Sequence, residues 1–133
     1  MWDKDDVNQL NVFENSTLDS FVMNTRQEVP GQKPRKVLLP LTTIDKMVGE
    51  LGLTKVDYIK MDIEGAERQA IAGGAETIRR FRPRMSIATE NLDDDYLKVP
   101  EAVRAVRADY KSTCLLCRDL SFLSARPDIV HFN

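Results

Sequence analysis

Val56-Asp-Tyr-Ile-Lys-Met-Asp-Ile-Glu-Gly-Ala-Glu67 is the stretch on which the reading of the whole chain turns. Residues 56–63 form an apolar strand, and Glu64-Gly-Ala-Glu67 turns that strand into a helix carrying Ala66, Ala70 and Ile71. Gly65 allows both a sharp turn and close approach of a ligand to backbone. In open α/β sheets ligands collect at the carboxyl ends of the strands. Asp62 and Glu64 flank such an end, and Glu90 closes the next strand, Arg84 to Glu90. A carboxylate at that rim can orient a substrate hydroxyl or take its proton. Glu67, in the first helical turn, reads instead as a complement to the helix dipole.

The elements on either side support an alternating order. Upstream, Lys36-Val-Leu-Leu-Pro-Leu41 is a short strand, and Pro40 puts it at an edge or a strand end. Thr42 stands three residues before Asp45, close to a capping box, and Ile44, Met47, Val48 and Leu51 define one face of a helix that Gly52 stops. Downstream, Gly73-Gly74 breaks or kinks the second helix before Ala75, Ile78 and Phe81 continue its stripe. Pro100 suits the first turn of a third helix, with Val99, Ala102, Val103 and Val106 on one face. Strands from Tyr110 to Cys117 and from Asp128 to Phe132 finish the chain.

Strand and helix in alternation predict an α/β fold, with a mostly parallel sheet and an antiparallel hairpin at its end. Residues 1–35 stand apart as an irregular or hairpin segment, with Leu10 to Phe13 a short strand and Glu14 to Thr17 and Val29 to Pro34 in turns. Residues 36–133 form the α/β domain.

Length and composition are those of one ordinary globular domain: 133 residues, 42% hydrophobic and 30% charged. A net charge of −2 gives no general reason to expect a nucleic-acid or anionic-membrane partner. The basic run Arg79-Arg-Phe-Arg-Pro-Arg84 closes a helix, where the dipole favours cations, so no nucleic acid is expected there either. No apolar run approaches a membrane span and the first residues lack the order of a signal peptide, which makes a cytoplasmic protein the default. Cys114 and Cys117 lie in a strand pattern that would send them to opposite faces, and His131 is a strand residue. Buried thiols and no metal site are the expectation.

The quoted stretch, preceded by Thr42-Thr-Ile-Asp-Lys-Met-Val48 and followed by Ala72-Gly-Gly-Ala-Glu-Thr-Ile-Arg-Arg80 and Arg82-Pro83, resembles the characteristic block of FkbM-type methyltransferases. The resemblance is specific from Val37 to about Arg84, and the terminal Asp128-Ile-Val-His-Phe132 is similar to the family's last strand. It implies the Rossmann-like class I methyltransferase sheet, seven strands with the last antiparallel. It also implies S-adenosylmethionine as donor and a hydroxyl of a small molecule or glycan as acceptor. Asp62 matches the family position at the end of the fourth strand, beside donor and acceptor, and Glu64 matches the glutamate two residues on. Trp2-Asp-Lys4 is similar to the segment after the family's third strand, which makes Trp2 and Asp3 candidates for donor contact.

Part of the family pattern has no counterpart. The six glycines supply no Gly-x-Gly turn between a strand and a helix, so the sequence reads as the C-terminal portion of the domain without the donor's glycine-rich cradle. Two expectations follow. The edge of residues 56–63 is left without a neighbour and invites homo-oligomer formation, unless the N-terminal hairpin covers it. The alternative to a methyltransferase is an inactive remnant serving as a binding or assembly module.

Overall fold

The computed structural model describes residues 1–12, 21–22, 35–114, 117–119 and 125–133. In chain order the elements begin with β1 (Asp6–Val12), β2 (Phe21–Val22), β3 (Arg35–Leu41), α1 (Ile44–Glu50) and β4 (Tyr58–Met61). They continue with α2 (Glu67–Ala72), α3 (Ala75–Phe81), β5 (Arg84–Ala88) and α4 (Asp95–Val106). The last four are β6 (Ser112–Cys114), β7 (Cys117–Asp119), β8 (Ala125–Pro127) and β9 (Ile129–Phe132).

The main sheet has the order β4-β5-β9-β6. β4 and β5 are parallel, whereas β9 runs antiparallel to both β5 and β6. The sheet is therefore mixed. β4, β5 and β6 share one direction and β9 is inserted against them, so the expected parallel sense holds for strand direction while only one ladder is parallel. β7 and β8 pair separately as an antiparallel two-stranded ribbon between β6 and β9.

β3 does not join this sheet. It pairs with β1 over its whole length, from Asp6↔Leu41 to Val12↔Arg35, in a second, antiparallel sheet of order β2-β1-β3. The ladder crosses residue 35 and ties the N-terminal strand to the residues that lead into α1. Pro40 sits on the edge strand of that sheet, as its missing N–H requires. The turn segments expected at Glu14–Thr17 and Val29–Pro34 lie outside the described residues.

Local signals explain most helix ends. α1 is capped by Thr43, not Thr42: the Thr43 hydroxyl accepts the Lys46 N–H at 3.0 Å. At its other end Gly52 has φ +60°, and the Gly52 and Leu53 N–H groups bond to the Gly49 and Val48 carbonyls, the Schellman arrangement. Ile44 and Val48 are buried, but Leu51, expected on the same face, is 64% exposed because it is the C-cap residue. The break at Gly73-Gly74 is real and separates α2 from α3. α4 starts five residues ahead of Pro100, at Asp95, so the proline lies inside the helix rather than in its first turn.

The core lies between the main sheet and the helices. Ile71 and Ile78 from α2 and α3, Met85 and Ile87 from β5, Val99 and Val103 from α4, and Phe132 from β9 are almost fully buried. Tyr110 meets Phe132 edge-on at 6.4 Å and donates its hydroxyl to the Pro83 carbonyl at 2.7 Å, which pins the start of β6 to the start of β5. Cys114 was expected as a buried thiol but is disulfide-bonded. The alternation argument fails because β6 ends at Cys114 and a different strand begins at Cys117. No helix among the described residues is long and apolar enough to cross a membrane.

Candidate active site

The parallel register of β4 and β5 sets Met61 opposite Ile87. The residues that follow each strand therefore emerge side by side at the carboxyl rim: Asp62 to Ala66 after β4, and Thr89 to Asp94 after β5. This places the loop bearing Asp62 and Glu64 next to the loop bearing Glu90. Asp62 is half-exposed and lies 3.6 Å from Lys60 on its own strand. Glu90 is exposed and Glu64 partly so.

The turn after β4 is strained. Glu64 has φ 55° and Gly65 φ 91°. Glycine adopts this backbone freely, but for glutamate it costs on the order of 1 kcal/mol or more. Such strain gathers at turns whose shape serves function. Thr89 steadies the other loop. It is buried, its N–H bonds to the Asp128 carbonyl at 2.8 Å, and its hydroxyl bonds to the Pro127 carbonyl.

Beneath the rim lies a polar cluster that residue spacing did not reveal. Glu67 is fully buried, and its Oε1 accepts both the Ile63 N–H and the Asn91 side-chain amide, each at 2.9 Å. Ile63 precedes the helix, so this carboxyl does more than complement the dipole of α2. Burial pushes the Glu67 carboxyl above the usual glutamate range, against the lowering effect of the Ile63 N–H. Asp95, equally buried, receives Arg68 Nε at 2.8 Å and the Leu92 N–H at 2.9 Å, while Arg68 also pairs with Asp94. That guanidinium holds the Asp94 carboxyl below the ordinary aspartate value.

Trp2 and Asp3 lie elsewhere in the contact network. The Trp2 N–H bonds to the Thr42 carbonyl at 2.9 Å, and its own carbonyl lies against Gly73 at the α2–α3 junction. Asp3 is exposed. Met1 lines an apolar groove of about 300 Å³ with Ile44, Tyr58, Ile59 and Ile63, along the open side of β4. Of the predicted residues, the fold thus brings the Asp62–Glu64 and Glu90 loops together, whereas Trp2 is held against Thr42, ahead of α1, and the α2–α3 junction.

The basic run is used structurally. Arg79 Nε donates to the Val106 carbonyl at 3.2 Å, Arg80 lies over the Phe81 ring, and Arg82 pairs with Asp109. His131 on β9 faces Ser86 across the ladder, with its Nδ1 3.0 Å from the serine hydroxyl. No group of three or more metal-binding side chains occurs among the described residues.

Comparison with known proteins settles the family. The methyltransferase FkbM domain matches residues 3–108. The chain belongs to the FkbM methyltransferase family. A 2-O-methyltransferase, NoeI from Sinorhizobium fredii, is 38% identical over 63 residues, covering 47% of this chain and 25% of that protein. The crystal structure of methyltransferase FkbM from Methylobacillus flagellatus KT is similar at a TM-score of 0.56 and 25% identity, over 71% of this chain and 23% of that one. The chain therefore spans about a quarter of the length of these two relatives.

In this FkbM-family chain, the residues that sequence reasoning missed are Asn91, Asp95 and the buried role of Glu67. Asn91 sits in a loop whose nearest signal was the acidic run after it. Glu67 has the spacing of a dipole-complementing residue, and nothing in that spacing announces its burial.

Proposed function

We propose that this chain contributes the acceptor side of an S-adenosylmethionine-dependent O-methyltransferase with a Rossmann-like sheet, acting on a hydroxyl of a small molecule or a sugar. The observation that carries the reading is the rim itself: the strained Asp62–Glu64 turn and the Glu90 loop lie side by side after parallel strands. Membership of the FkbM family supports the reaction class, and the similarity to a 2-O-methyltransferase supports an oxygen acceptor.

The donor fits these residues in part. Carboxylates at the rim suit a cationic sulfonium and a hydroxyl. The Gly73-Gly74 pair gives the donor no close approach: Gly73 is filled by the Trp2 carbonyl and Gly74 by the Ile44 side chain. When bound, S-adenosylmethionine would supply the methyl group. Asp62, half-exposed at the strand end, is placed to accept a hydrogen bond from the acceptor hydroxyl and take its proton as the oxygen attacks. Glu64 and Glu90 then border the acceptor and fix its orientation. Aligning the attacking oxygen is much of the catalysis in an in-line displacement.

Calorimetry with S-adenosylmethionine, followed by transfer assays on a panel of sugar and small-molecule hydroxyls, tests this. Binding and transfer that fall about 100-fold in Asp62→Asn, with an unchanged melting temperature, are the expected result. Failure of the chain to bind the donor favours the second reading, a binding or assembly module without catalysis. The open side of β4 is the observation behind that reading, since among the described residues β4 ends the sheet.

A further inference from the structure

We propose that Glu67 is the positioning residue of the rim, a buried carboxyl that locks the loop after β4 to the loop after β5. This rests on the methyl-transfer reading for its purpose, though not for its geometry. A single oxygen, Oε1, accepts from the backbone of one loop at Ile63 and from the side chain of the other at Asn91, both at 2.9 Å. Ile63 lies between Asp62 and Glu64, so fixing its N–H fixes the strained turn on which both depend. Asn91 follows Glu90 immediately, so fixing its amide orients that residue's loop.

The second oxygen shows in which form Glu67 works. Oε2 is buried and has no hydrogen-bond partner among the described residues. An ionised carboxylate with one oxygen dry and unbonded is costly, whereas a neutral carboxyl with its proton on Oε2 leaves Oε1 free to accept twice. The charged groups packed around it agree. Asp95 on α4 is close enough for its charge to disfavour a second one on Glu67. Arg68, the one basic group in the cluster, is committed to Asp94 and Asp95. Glu67 thus acts through its shape and its acceptor oxygen, and the negative charge is not needed.

Glu67→Gln preserves shape and acceptor without a charge, Glu67→Ala removes both, and Asn91→Ala cuts the link from the part-buried loop after β5, outside the hydrophobic core. The three variants of the full 133-residue chain are compared by hydrogen exchange at the Ile63 amide and by kcat and KM for methyl transfer. Ile63 protection is expected to survive in the glutamine variant and to be lost in Glu67→Ala. In Asn91→Ala it persists, because Oε1 still accepts from Ile63. Glu67→Ala and Asn91→Ala should each lower kcat, by about 100-fold where the loops shift by an ångström, with a smaller effect on KM. Glu67→Gln should restore most of that loss and leave the pH profile of transfer unmoved. A glutamine variant as impaired as the alanine one would overturn the proposal, since charge would then be essential. Undiminished kcat in Asn91→Ala would equally overturn it. If the wild-type chain transfers no methyl group to any hydroxyl, the methyltransferase reading fails by itself. Ile63 protection in wild type and Glu67→Gln, set against its loss in Glu67→Ala, then still decides the clamp, and equal protection in all of them refutes it.

Discussion

Asp45 caps a helix that is not its own: its carboxylate, on α1, accepts the Thr77 N–H of α3 at 2.7 Å. The neighbouring Glu76 N–H reaches the other carboxylate oxygen at 3.0 Å. Gly74, the N-cap position of α3, has no side chain to do this. Asp45 therefore supplies in space what the sequence around α3 lacks, and it welds α1 to α3 at the same time. Asp45→Ala should destabilise the fold by about 1–2 kcal/mol, the usual loss for a helix cap. Urea denaturation reads this directly. A change within experimental scatter would mean that water replaces the carboxylate without penalty.

Gly73 is a second point where a remote segment decides a residue. A Cβ built there would lie 1.9 Å from the Trp2 carbonyl oxygen, a backbone atom that cannot rotate away. Gly73→Ala should push residues 1–3 off the α2–α3 junction and break the Trp2 N–H bond to Thr42. Trp2 is the chain's one tryptophan, so its fluorescence should shift to the red without loss of helical circular dichroism. Gly74→Ala is the milder comparison, because its Cβ would meet the Ile44 side chain at 3.0 Å and the Ala70 carbonyl oxygen at 3.3 Å, contacts that a shift of a few tenths of an ångström relieves. Equal emission spectra for wild type and Gly73→Ala would refute the close approach.

These two contacts show where residue patterns run out. The strand–turn–helix at residues 58–72, the break at Gly73-Gly74 and the last strand were legible, because apolar periodicity and glycine are local signals. Asp45 was read as half of a capping box because it follows Thr42 by three, whereas its partners lie more than thirty residues away. β3 was read into the alternating series, and its pairing with β1 depended on a strand whose own signal was weak. At the rim, Asp62, Glu64 and Glu90 were found from their places at strand ends. Glu67 was assigned to the helix dipole, since burial and the reach to Asn91 depend on how two loops meet in space.

Among the described residues β4 has a ladder partner on one side, β5, and an apolar groove along the other. Tyr58 on this strand is 53% exposed. An open apolar edge favours pairing with another strand, and lysine on such an edge is a common deterrent. The chain is therefore expected to self-associate with rising concentration in light scattering, and Tyr58→Lys to weaken that association. A monomer at every concentration, with the amides of Tyr58 to Met61 exchanging freely, would exclude pairing through this edge.

Glu67 gives stability a pH dependence whose sign can be worked out. Burial raises its folded-state pKa above the ordinary glutamate value of about 4.3 found in unfolded chains. Below that value both states carry the proton and the group makes no pH-dependent difference. As pH rises, the unfolded chain ionises first, so the native state binds more protons and loses stability until its own, raised pKa is passed. Glutamine cannot ionise in either state. The melting temperature of Glu67→Gln relative to wild type should therefore be lowest in acid, climb as pH rises above about 4, and level off once the raised pKa of the folded carboxyl is passed. Paired thermal melts across that range, read as the difference between the two proteins, cancel the other titrating groups. A difference that stays flat, or that falls with pH, would show that Glu67 is ionised in the folded protein and that its partners stabilise the charge.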